Sequence, residues 1–153
     1  MADNITIKVT GVKEAINRLN KAKKNVKEEM SMSVYRAALY LQGKVREDIQ
    51  GKTGTRSVDT GHFAKMTYAK KTGTFEAVVG NDLPYAKYLE YGTSSHFVAP
   101  KNAKALHWDG FFSKGHMVGG IKARRHFGNT ARREKANIQK IIQNNINKAG
   151  RQQ

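Results

Sequence analysis

The chain has 153 residues, 39% of them hydrophobic and 26% charged, with no cysteine and a net charge of +16. That length holds one domain, 1–153, with a modest core, and the lack of thiols excludes disulfides, thiolate metal sites and a cysteine nucleophile. No apolar run approaches the roughly 20 residues needed to span a bilayer, and Met1-Ala2-Asp3-Asn4 lacks the basic and apolar regions of a signal peptide, so a cytoplasmic setting with no membrane contact is expected.

Ile5, Ile7 and Val9 alternate with Thr6 and Lys8, the period of a half-buried strand. From Val12 to Ile49 apolar residues recur at three- and four-residue steps, among them Ile16, Leu19, Val26, Met30, Val34, Leu41 and Val45. This predicts a long helix, about 57 Å if unbroken, with Ser31-Met32-Ser33 as a candidate kink. Residues 51–62 carry glycines and small polar residues without periodicity and read as a loop that orders only on assembly. Gly51-Lys52-Thr53 ends like a phosphate loop, but Arg46 stands where the upstream glycine belongs.

Met66–Lys70 and Phe75–Val79 flank a turn containing Gly73 and predict a β-hairpin. Asp82 and Pro84 then signal a helix start, Gly92 signals its stop, and Tyr85, Tyr88 and Leu89 share one face between them. That face is expected to be buried against the hairpin. His96–Val98 and Ala105–Trp108 predict two further short strands of the same sheet. Residues 109–124 read as a second mobile loop. Asn129 or Thr130 is positioned to cap a last helix, with Ile138, Ile141, Ile142 and Ile146 on its apolar face. The fold class expected is α+β: a mostly antiparallel sheet of four to five strands, with the long N-terminal helix and the C-terminal helix packed on one face.

Chemistry is sparse. His96, His107, His116 and His126 lack the helical i, i+4 spacing or CxxC partners of a metal site, and no nucleophile stands in a triad or elbow context. No catalytic residue, cofactor or metal is assigned. Asp59 reads as a turn cap and Glu90 as one half of a structural ion pair. The charge is uneven: residues 101–153 hold twelve Lys and Arg against two Asp and Glu, or +10. Lys101, Lys104, Lys122, Arg124, Arg125, Arg132 and Arg133 are the candidate contacts to DNA phosphates or to an acidic partner. Phe127 and Trp108 read as core residues before they read as base-stacking platforms.

Three motifs occur in order: Asp59-Thr60-Gly61, then Val78-Val79-Gly80, then Tyr85-Ala86-Lys87-Tyr88-Leu89-Glu90-Tyr91-Gly92-Thr93. This series resembles the tail-completion, or head–tail joining, proteins of tailed phages. Phe63 stands where that family usually has Leu, and Lys122–Phe127 replaces a proline-rich segment common before its last helix. The resemblance implies a virion structural protein assembled in the host cytoplasm. It implies a ring of six subunits between the head connector and the tail tube, around the genome DNA. It also implies that Asp59, Thr60, Gly61, Gly80, Tyr85, Ala86, Tyr88, Glu90, Tyr91, Gly92 and Thr93 are structural motif residues. Charge by itself points to another class, a stand-alone protein that binds nucleic acid without sequence preference.

Overall fold

The computed structural model describes residues 5–9, 24–53, 56–57, 61–102, 104–108 and 110–151. The early part of the predicted long helix, with Val12, Ile16 and Leu19, lies outside the described residues. So do Asp59 and Thr60.

Three strands form the central sheet: β1 (Ile5–Val9), β2 (Thr67–Gly73) and β3 (Glu76–Asn81). They lie in the order β1-β3-β2, all antiparallel. Ile5 pairs with Asn81 and Val9 with Ala77, so a strand from the start of the chain closes on the hairpin. The β2–β3 hairpin shifts register between Lys71 and Gly73. Gly80 is needed in β3 because a Cβ there would lie 2.6 Å from the Ile5 carbonyl oxygen and 2.9 Å from the Tyr68 hydroxyl.

The helix α1 (Lys24–Ile49) crosses this sheet and continues without a break through Ser31-Met32-Ser33, where Ser33 Oγ bonds the Glu29 carbonyl at 2.7 Å. Met30, Val34, Ala38, Leu41, Val45 and Ile49 form its buried face against Ile5, Ala77 and Val79. A short helix α2 (His62–Lys65) puts Phe63 and Ala64 into the same core. Phe63, the departure from the family's leucine, is a core residue. After β3, α3 (Ala86–Tyr91) turns back toward the body.

Two features of the C-terminal half differ from expectation. First, the main sheet has three strands. β4 (His96–Val98) pairs with β7 (His116–Val118), and β5 (Leu106–Trp108) pairs with β6 (Phe111–Ser113). These are two separate two-stranded ribbons, one nested inside the other in sequence. Part of the stretch 109–124, read as loop, therefore holds strands. Second, the last helix begins earlier and is divided. α4 (His126–Arg133) and α5 (Lys135–Arg151) meet at Glu134, and Thr130 is buried inside α4 instead of capping it. The extensive contacts of α5 are with α1 and α4, not with the sheet. α5 covers α1, through Ile138, Ile142 and Ile146.

The face of α3 is also rotated from expectation. Ala86 and Glu90, at i and i+4, point inward and Leu89 packs against the core as expected, while Tyr85 and Tyr88 are 41% and 44% exposed. Leu41→Ala should cost about 2–5 kcal/mol, as for a large-to-small change in a full core. Tyr88→Ala should cost about 1 kcal/mol or less, since little burial is lost. Urea unfolding of the two variants checks this ranking; equal losses contradict it.

Candidate functional site

The motif Tyr85–Thr93 is built around one buried carboxylate. Glu90 Oε2 accepts the Phe127 amide at 3.0 Å and Oε1 accepts the Gly128 amide at 2.8 Å. These are the second and third residues of α4, whose first turn has no acid and whose preceding residue Arg125 makes no side-chain cap. Glu90 thus performs from another helix the capping that a local Asp or Ser usually supplies, and its negative charge faces the positive end of the helix dipole. Among the described residues Glu90 makes this cap and not the expected ion pair.

The backbone around Glu90 reinforces the tie. The Arg124 and Arg125 amides donate to the Leu89 and Glu90 carbonyls at 2.8 and 3.2 Å, and the Thr93 amide donates to the Ile121 carbonyl at 2.9 Å. Thr93 Oγ1 accepts the Ile121 amide at 2.9 Å. Gly92, at φ 76°, has no room for a side chain: a Cβ would lie 2.6 Å from the Ile121 oxygen and 2.8 Å from the Ala123 nitrogen. A Cβ on Gly120 would strike the Thr93 carbonyl. The segments 89–95 and 120–125 are therefore clamped together. Between them runs an arm, residues 93–121, that contains both ribbons. Every extensive contact of β4, β5, β6 and β7 is with the partner strand of its own ribbon. Phe97, Phe111, Phe112 and Met117 on this arm are 61 to 75% exposed, and Tyr91 beside its base is 71% exposed.

A second network, which no local signal announces, ties the end of α1 to α4. The Asp48 carboxylate faces His126 Nδ1 at 2.8 Å, and the opposite ring nitrogen faces Ser57 Oγ at 2.7 Å. A carboxylate only accepts, so Nδ1 carries the proton it donates to Asp48. Thr53 Oγ1 and Arg133 donate to the other Asp48 oxygen at 2.8 and 3.2 Å. The order Ser57–His126–Asp48 is that of a hydrolase relay, but the imidazole is buried and the Ser57 amide is occupied by the Ile49 carbonyl at 2.9 Å. Asp48 is shared with Thr53 and Arg133. The arrangement serves as an anchor for the segment after α1.

Burial pushes the Asp48 carboxyl up, yet hydrogen bonds from His126, Thr53 and Arg133 outweigh it and hold the group below its ordinary value. Glu134 is also held low, first by Asn137 and then by Tyr40. In turn, the hydrogen bond to Glu134 raises the Tyr40 hydroxyl.

The remaining sequence candidates are dispersed. Gly61, at φ 76°, precedes α2. Tyr85 leans on Phe63 with ring centres 6.0 Å apart, and the Lys87 ammonium lies 5.4 Å from the Tyr88 ring centre. Lys101 and Lys104 are exposed on the arm, Lys122 and Arg125 before α4, and Arg132 in its last turn; Arg124 is half-buried. Arg133 is engaged with Asp48 and with Glu134 at 3.5 Å. Arg125 is the one non-glycine with positive φ among the described residues, at 54°. Phe127 is core, and the Trp108 side chain lies outside the described ones.

Among the described residues, the exposed aromatics of the arm and the cations of the C-terminal third are the surface features that set this chain apart. Residues 13–92 match the family model described as "Bacteriophage HK97-gp10, putative tail-component". The chain belongs to this HK97-gp10-like family of phage tail components, and the arm, α4 and α5 lie beyond the matched residues. No curated protein and no solved structure matches the chain.

Glu90→Gln should cost roughly 1–3 kcal/mol, because a buried helix start loses a charge-assisted acceptor; an unchanged unfolding midpoint contradicts the cap. Asp48 and Glu134 have folded pKa values below their unfolded ones. Their stabilisation is present above the ordinary carboxyl range and is lost as pH falls below about 4. Urea midpoints between pH 3 and 7 should show this acid limb, and Asp48→Asn should flatten it.

Proposed function

We propose that the chain forms a ring, of six subunits, at the head–tail junction of a tailed phage, joining the head connector to the tail tube around the genome DNA. The observation that carries this reading is the match of residues 13–92 to a phage tail-component family. A ring requires a heterologous interface that closes on itself. The +10 charge of residues 101–153 supports a DNA-lined lumen, since a single-sign field holds a polyanion without reading its sequence. Arg125 supports it further. It is exposed and holds a left-handed conformation, which costs a non-glycine residue about 1 kcal/mol or more, and it adds a cation to this segment.

The test uses Lys122, Arg125 and Arg132 changed together to Gln, leaving Arg133 with Asp48. Complementation of a phage lacking the wild-type chain should give joined particles that retain packaged DNA poorly. The purified variant should lose affinity for every duplex alike, with its salt slope reduced by about 0.9 for each phosphate it no longer neutralises. Sequence-selective loss of binding would favour a stand-alone nucleic-acid-binding protein. Failed joining with unchanged DNA affinity would place these cations at a protein interface.

A further inference from the structure

We propose that the arm of one copy seats on the outward face of α1 in a neighbouring copy, through Phe97, Phe112 and Met117 against a stripe made by Met32 and Leu39. The inference rests on the ring reading and names the contact that closes the ring.

The arm is an incomplete structure. A two-stranded ribbon is marginal in water without a covering layer, and neither ribbon makes extensive contact with another described element. Its large apolar side chains face solvent at levels unusual for this chain. Both ends of its base are nevertheless tied together, through the close approach of Gly92 and Gly120 to the opposite segment and the Thr93–Ile121 hydrogen bonds.

Composition indicates the occupant. Residues 93–121 hold three lysines and one aspartate in 29 positions, whereas 26% of the whole chain is charged. Charge depletion with aromatic enrichment marks the centre of a protein interface. A partner rich in acid, or a nucleic acid, gains most from the basic segments and least from this surface. A partner with the same +16 charge is repelled everywhere except at a nearly neutral face. Another copy of the chain is that partner.

The same molecule offers a second uncovered apolar strip. Met32, Leu39 and Gly43 fall at i, i+7 and i+11 on α1, in line along one face. Met32 and Leu39 are exposed, and Gly43 has nothing within 4 Å of a built Cβ. On one side of the strip Arg36 reaches Asn145 of α5; on the other Arg46 bonds the Thr67 carbonyl of β2 at 2.6 Å. The result is an apolar floor between polar edges. A surface patch that fits a different patch on the next copy makes a head-to-tail contact, which closes into a ring when its rotation allows.

The absence of cysteine makes the test direct. Leu39→Cys and Phe112→Cys chains are mixed and treated with a short bismaleimide linker. Cross-linked dimers are expected in the mixture and not with either chain alone. A Phe112-to-Phe112 product would overturn the head-to-tail contact. In parallel, Phe112→Ser and Leu39→Lys should each weaken self-association at least tenfold by sedimentation, with unfolding midpoints near wild type. Unchanged rings in both variants would overturn the arm contact while leaving the ring reading intact. A wild-type chain that stays monomeric at every concentration would overturn both.

Discussion

The buried carboxylate of Glu90 is the constraint on which the C-terminal half depends. It accepts the first free amides of α4 and so fixes where that helix starts. Those amides belong to Phe127 and Gly128, next to His126, whose ring holds Asp48 and Ser57. One acidic side chain on α3 therefore positions a core aromatic and the helix that carries the anchor to the end of α1. A charge buried this deeply is tolerated only because both oxygens are satisfied by amides at a helix N-terminus.

This arrangement separates the molecule into regions with different roles. The body, made of the sheet, α1 and α5, carries the apolar packing. The arm carries exposed aromatics and little charge. The segment from Lys122 through α4 carries exposed cations above a well-tied backbone. Assembly through a neutral surface and DNA proximity through a basic one are compatible in a strongly cationic chain, because the two surfaces do not compete for the same partner. The family match ends at Gly92, at the base of the arm.

The elements whose periodicity is local were legible in the sequence. The alternation of Ile5, Ile7 and Val9 marked β1, the three- and four-residue steps marked the core face of α1, and the Gly73 turn marked the hairpin. Gly92 was legible because a helix end at positive φ selects glycine. The face of α3 was not. Hydrophobic periodicity placed the tyrosines inward, and it has no means of registering a carboxylate buried to cap another helix. The start of α4 was misplaced for the same reason, since its cap lies 37 positions away in the chain. The His126–Asp48 contact spans 78 positions and leaves no local trace. The β5–β6 ribbon did leave one: Asp109-Gly110 between Trp108 and Phe111 is a strong two-residue hairpin signal, and Gly110 takes φ 83°. It was masked by the glycine-rich stretch that follows. The sheet was overcounted because short β-rich runs reveal a strand but not its partner.

The position proposed for this tail component is a ring around DNA at the head–tail junction. Electron cryo-imaging of phage particles carrying a compact label on this chain tests it most directly. A closed ring of density is expected on the axis between the head connector and the tail tube, absent when the chain is absent. Label spread along the tail tube, gathered at its distal end or missing from the particle would contradict it.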